Sequence, residues 1–172
     1  MRISALAERY LPEDAFRPLL SGAYLAGNPM AGDAFTYSLA LNQAAGRVPA
    51  FAGLERYHFG LDNDLEQRDP PQQGRDKLDA GGKFTLGIPM AVFRKTNFLA
   101  DLHFTTTGRS AEGKEFTARA GSVYFPGSRL TGIHVGYYQN LKEQVGAELA
   151  LVDFQGKPAA GEVRVTLYRE TY

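Results

Sequence analysis

Cysteine and tryptophan are both absent from the 172 residues, and histidine occurs only three times. Without cysteine the chain holds no disulfide, thiolate metal site, cysteine nucleophile or thioester. Without tryptophan it lacks the widest flat platform for a sugar ring. Neither sign of charge is in excess: Lys plus Arg and Asp plus Glu both number 19, for a formal charge of zero. A neutral chain has no single-sign field to steer nucleic acid or an anionic membrane, so neither is expected as a partner. Apolar runs stay far below the roughly 20 residues that a spanning helix needs. Glu8 and Arg9 fall where a signal peptide would continue its apolar stretch, so any export signal of a parent protein is expected outside this chain.

What the chain does have is alternation. Hydrophobic residues make up 44% and charged residues 22%, a composition suited to one or two soluble domains with a real core. Phe35, Tyr37, Leu39 and Leu41 recur at every second position, as do Phe84, Leu86, Ile88 and Met90, and Phe98, Ala100, Leu102 and Phe104. The same period marks Phe116, Ala118 and Ala120, then Ile133, Val135 and Tyr137, Leu149 and Leu151, and Val163, Val165 and Leu167. Side chains alternate across a strand, so each set is expected to face a core. After Gly121 the apolar phase shifts to Val123 and Phe125, which predicts a bulge at that glycine. Seven strands are expected before Pro126, near 3–9, 17–25, 34–42, 55–60, 83–90, 97–107 and 114–125. Three more follow, near 130–138, 144–153 and 162–171. Ile3, Leu6, Ala7 and Tyr10 also fit helical spacing.

Turn signals separate these runs at Ala26-Gly27-Asn28-Pro29, Asp79-Ala80-Gly81-Gly82, Ala111-Glu112-Gly113 and Asp153-Phe154-Gln155-Gly156. The segment Gly27 to Asp33 (GNPMAGD) returns as Gly156 to Glu162 (GKPAAGE), at a constant offset of 156 − 27 = 129 in sequence number. That is the length of one β-sandwich, so the chain reads as one complete module, 1–126, and the first strands of a second, 127–172. The fold class expected is all-β, an immunoglobulin-like or macroglobulin-like antiparallel sandwich. At the same offset apolar Phe35 and Tyr37 fall on Arg164 and Thr166. Either a bulge differs between the copies or only the turn is related. Leu61 to Leu78 (LDNDLEQRDPPQQGRDKL) lacks alternation and is expected to be a long exposed loop.

Candidate chemistry is sparse. His58, His103 and His134 lie on three separate strands without short ligand spacing, so no metal site is expected. Asp62, Asp64 and Glu66 alternate as in calcium loops, but the sixth and twelfth positions are Gln67 and Gln73 rather than Gly and Glu. Ser122 is a strand residue by phase and no serine sits in G-x-S-x-G. Acids are plentiful, yet nothing places two of them across an apolar cleft. Arg68, Arg75 and Lys77 on the polar stretch are accessible to a trypsin-like protease. No catalytic residue, cofactor or enzyme activity is expected.

Three stretches in order, Tyr24 to Gly32 (YLAGNPMAG), Tyr57 to Gly60 (YHFG) and Leu78 to Lys83 (LDAGGK), resemble bacterial alpha-2-macroglobulins. Pro126 to Val135 (PGSRLTGIHV), Val152 to Gly161 and Val163 to Arg169 resemble the start of the next module in that family, and Glu8 to Phe16 (ERYLPEDAF) its joining strand. Each motif alone is of low specificity; their order and spacing carry the likeness. The resemblance implies a fragment of a periplasmic, broad-range endopeptidase inhibitor. In that family a protease cuts a bait region, the modules rearrange and the protease is trapped, in many members with covalent capture by a Cys–Gln thioester. The implied role of this piece is scaffolding, with adjacent domains of the same protein as partners and proteases met only through the whole molecule.

Two other functions fit the same fold. One is a stalk of immunoglobulin-like repeats in a surface adhesin; the other is a carbohydrate-binding module, disfavoured by the missing tryptophan. Three strands after residue 130 cannot close a sandwich. Their apolar faces are expected to pack on the first module, on another molecule, or on further chain.

Overall fold

The computed structural model describes residues 1–43, 51–59, 69–110, 113–136 and 146–166. The chain divides into two compact units: 1–45 with 63–126, and 46–62 with 127–172. It therefore crosses between them three times, after residues 45, 62 and 126.

The first unit is built on a five-stranded sheet in the order β2 (Arg9–Tyr10), β11 (Glu115–Tyr124), β10 (Ala100–Arg109), β5 (Ala34–Gln43) and β7 (Gln72–Lys77). A second sheet joins β1 (Arg2–Ser4), β4 (Leu19–Ser21) and β8 (Lys83–Thr85), and a short pair joins β3 (Ala15–Phe16) and β9 (Ile88–Pro89). One 3-10 turn, Met90–Val92, follows β9. Side chains from both sheets meet in one core: Leu20 and Phe84 from the small sheet, Phe35, Leu39, Leu102 and Phe104 from the large one. Phe35 meets Phe84 edge-on at 5.3 Å, and Phe16 meets Phe104 at 5.1 Å. This is the all-β sandwich that the alternation predicts, and the inward phases hold. Phe35, Leu39, Leu41, Leu86, Ile88, Met90, Phe98, Ala100, Leu102 and Phe104 are all buried.

Four details differ from expectation. The first strand is split: Ala5 takes φ 58°, the chain changes sheets there, and β2 pairs in parallel with β11. No helix forms at this end, since Ile3 and Tyr10 serve different sheets. No bulge occurs at Gly121; the register runs unbroken from Ala100↔Tyr124 to Arg109↔Glu115. Buried Tyr124, not Val123, continues the inward set within the strand, while Phe125, one residue past its end, is buried as expected. The polar stretch ending at Leu78 is not loop throughout, for Gln72–Lys77 is the edge strand β7. An edge strand facing water has little to bury, which is why its alternation is missing.

The second unit holds a three-stranded sheet, β13 (Ala147–Asp153), β12 (Arg129–Val135) and β6 (His58–Phe59). The strand expected at 55–60 is thus reduced to two residues, and its ladder partners are Gly132 and Ile133 rather than strands of the first sandwich. Its buried face carries Leu130 and Val152, a cross-strand pair, together with Phe51 and Phe59. The apolar set expected to face a core points the other way: Ile133, Val135 and Leu149 are 37, 42 and 42% exposed, and Val165 is 57%. Residues 161–166 form no strand, and Val163 is half-buried. Tyr137 and Leu167 lie outside the described residues.

The internal echo is a shared piece of backbone. Ala23 bridges Pro29 and Val152 bridges Pro158; both partners are displaced by the same offset (152 − 23; 158 − 29). Met30 N donates to Gly22 O at 3.0 Å, and Ala159 N to Leu151 O at 2.9 Å, again in matching positions. The copies part at the following glycine: Gly32 has φ +73° and β5 begins two residues later, whereas among the described residues no strand follows Gly161.

Candidate functional site

Each expected turn has one geometry. The amide of Tyr24, Asp79, Ser110 or Asp153 donates to the carbonyl four residues on, Asn28, Lys83, Lys114 or Lys157, at 2.8–2.9 Å. The amides of Gly27, Gly82, Gly113 and Gly156 donate back to the turn's first carbonyl at 2.9 Å. Those glycines have φ 88, 69, 79 and 83°, a left-handed conformation that a side chain resists. A turn ending in a left-handed glycine matches the right-handed twist of the strands that it joins. Aspartate at the first position adds a lock: Asp79 Oδ1 accepts from Gly81 N and Lys83 N, and Asp153 Oδ1 from Gln155 N and Lys157 N, all within 2.9 Å.

Two of the segments that carry the family likeness meet in space. Gly22 N donates to Gly82 O at 2.8 Å, and a Cβ on Gly82 would stand 2.5 Å from Gly22 O and 3.0 Å from Met30 N. Tyr24 Oη donates to the buried Asp33 carboxylate at 2.8 Å. So Y-x-x-G-x-P and D-A-x-G-K are the two halves of one interlocked corner, which has no room for a side chain at Gly82.

The titratable groups serve the same end. Asp69 Oδ2 accepts from Lys95 N (2.8 Å), Thr96 N (2.9 Å) and Thr96 Oγ1 (3.0 Å). Burial pushes the Tyr124 phenol above its ordinary value, with the Asp69 and Glu13 carboxylates adding to the shift. A hydrogen bond to Tyr57, then the Glu148 carboxylate at 2.6 Å, holds Arg56 more firmly charged. Glu55 lies below the usual carboxylate range because its own amide and that of Gly53 donate to it. These acids close turns and pair with basic groups.

The other candidates disperse. His103 is exposed on β10, pointing away from the core, whereas His58 and His134 belong to the second unit, the latter edge-on to Tyr57 at 6.0 Å. Among the described residues no three ligating side chains come together. Asp62, Asp64, Glu66 and Arg68 lie outside the described residues. Arg75 and Lys77 project from β7 into solvent. Ser122 Oγ donates to Ala7 O at 2.8 Å, fastening β11 to the chain before β2. A groove of about 490 Å³ in the first unit is lined by Met1, Tyr24, Leu25, Met30 and Phe116 together with Ser110, Lys114 and Glu115, and that Glu115 carboxylate is already paired with Arg109 at 2.8 Å.

One arrangement escaped the sequence reading. Three glycines sit directly opposite aromatic residues in the ladders: Gly74 opposite Tyr37, Gly108 opposite Phe116 and Gly132 opposite Phe59. In each pair the ring lies over the glycine, so that a Cβ would collide with it. An isolated glycine within a strand pattern is the only sequence signal of such a socket, and it does not say which aromatic fills it.

Comparison with known proteins agrees with this architecture. A family model described as the bacterial alpha-2-macroglobulin MG5 domain matches residues 1–126. The native conformation of Escherichia coli alpha-2-macroglobulin aligns over 90% of this chain and 10% of its own, with TM-score 0.65 and 18% identity. The E. coli protein activated by porcine elastase aligns over 90% and 14%, with TM-score 0.68 and 19% identity. The Salmonella protein reacted with methylamine aligns over 91% and 11%, with TM-score 0.66 and 17% identity. The chain thus spans about a tenth to a seventh of the solved proteins that it resembles. No match was found among curated proteins. With an MG5 model covering 1–126 and a sandwich to match, the chain belongs to the bacterial alpha-2-macroglobulin family.

Proposed function

We propose that this chain supplies scaffold modules of a protease-trapping inhibitor, inert by themselves and active only as part of a larger molecule. The MG5 match over residues 1–126 carries this reading. It is supported by a site whose acids and glycines are spent on closing turns, and by the likeness to a relative captured after elastase activation. Residues 127–172 are read as the first strands of a second macroglobulin-like sandwich, on the strength of the turn repeated at domain spacing. The partners are neighbouring domains of the same protein, with proteases engaged through the whole molecule and the periplasm as its place of work. No cofactor and no enzymatic role is assigned.

The test is direct. Purified chain is mixed with trypsin or elastase, and protease activity is followed on a peptide and on a large protein substrate. The scaffold reading expects no protection of either substrate. Stoichiometric inhibition by the isolated chain would overturn it. In the parent protein, Leu102→Ala should weaken protection of the large substrate by loosening the scaffold, while leaving cleavage of the small peptide unaffected.

A further inference from the structure

We infer that residues 51–59 are a docking peptide, carried on the connection between β5 and β7, and that the second unit's β12–β13 sheet with its 153–157 turn is the receptor site for it. The ligand class is a segment of two successive turns, closed by Leu54 N to Phe51 O and Tyr57 N to Leu54 O, that ends in a two-residue strand and carries aromatic residues eight apart (59 − 51 = 8), here Phe51 and Phe59. In sequence this segment lies inside 1–126, yet it belongs to the second compact unit.

The receptor is shaped for it at both ends. Gly132 faces Phe59, and a Cβ there would lie 2.6 Å from the ring carbons Cε1 and Cζ. Gly156 receives Phe51, whose ring occupies the space where a Cβ would be; Phe51 and Phe59 meet edge-on at 5.5 Å. Between them Arg56 reaches the Glu148 carboxylate at 2.6 Å, and Tyr57 Oη donates to the same oxygen at 3.1 Å. The β6 ladder adds main-chain pairing at His58 and Phe59, the mode by which peptides extend an exposed sheet edge. Of the buried apolar side chains among the described residues of this unit, Phe51 and Phe59 come from the segment, while Leu130 and Val152 come from the receptor.

The internal repeat shows that this face is an addition. Val152 is 2% exposed, whereas Ala23, its counterpart in the earlier copy (152 − 23 = 156 − 27), is open to solvent. Gly27, counterpart of Gly156, has no atom within 4 Å of a Cβ placed on it. The same turn therefore carries a docked aromatic in one unit and none in the other.

Native-state hydrogen exchange on the whole chain tests this without any substitution. The amides of β6 should open together with β12 and β13, although their sequence neighbours are β5 and β7. Opening of β6 together with β5, or independently of β12, would overturn the docking. A double-mutant cycle gives a second reading. Gly132→Ala should lower β12–β13 protection by roughly tenfold, leave β10 and β11 unchanged, and have little further effect in a Phe59→Ala background. Losses that simply multiply in the double variant would overturn the pairing of Phe59 with its socket.

Discussion

Leu20 and Leu149 occupy matching places in the two copies (149 − 20 = 156 − 27) and make equivalent ladder pairs, Ile3↔Leu20 and Ile133↔Leu149. Leu20 is fully enclosed; Leu149 is 42% exposed. Three positions on, the order inverts, with Ala23 exposed and Val152 at 2%. The two turns nevertheless share their bridges, their left-handed glycines and their hydrogen bonds. Turn geometry is thus written locally, by glycine, proline and the polar first residue, and is the same in both units. Burial depends on what lies opposite. A five-stranded sheet covers one face of the first copy, and an aromatic segment covers the opposite face of the second.

The comparison breaks most visibly at the leucines. Leu20→Ala should destabilise the first unit by roughly 2–5 kcal/mol, as should Leu102→Ala on the facing sheet, whereas Leu149→Ala should stay within about 0.5 kcal/mol. Urea melts of the three variants decide this, and equal losses at Leu20 and Leu149 would end the contrast. The glycines give a smaller difference. Gly27→Ala should lose about 1 kcal/mol from backbone strain, and Gly156→Ala at least about 1 kcal/mol more from collision with Phe51.

A gain is expected at Thr106. It is fully buried in the first unit's core, and its Oγ1 has no hydrogen-bond partner. Thr106→Val should raise stability by about 1 kcal/mol, read as a higher urea midpoint with an unchanged slope. The smallest effect is confined to alkaline pH. Because the folded Tyr124 phenol titrates above the unfolded value of about 10, the unfolded chain loses its proton first. Stability at this site is complete below about pH 10 and declines as pH rises through the folded value. Tyr124→Phe should reduce that decline; an unaltered alkaline melting curve would show that Tyr124 ionises freely.

Much of this was legible from period and punctuation. Phe35, Leu39 and Leu41, with Tyr37 half-buried between them, and Phe98 to Phe104 face the core as their alternation implies, because both strands lie inside a sheet with one face on it. All the expected turns closed, since each carries its own glycine at the position where φ must be positive. Gln72–Lys77 was illegible as a strand because an edge needs no apolar side, and its fixing contact is the Tyr37 ring over Gly74. The orientation of Ile133 and Leu149 was misread for a related reason: alternation shows that two faces differ, but not which one is covered. Gly132 alone marks its socket in the sequence, and nothing local tells that Phe59, remote from it along the chain, fills it.

The polar character of β7 has a consequence for chains in which sandwich follows sandwich. An open sheet margin invites strands from neighbouring molecules to add on, and crowded repeats raise that hazard. Here the margin presents Gln73, Arg75, Asp76 and Lys77 to water, so a newcomer would have to strip charged groups of their hydration before it gained a ladder. The large sheet ends in a strand that resists fibre growth.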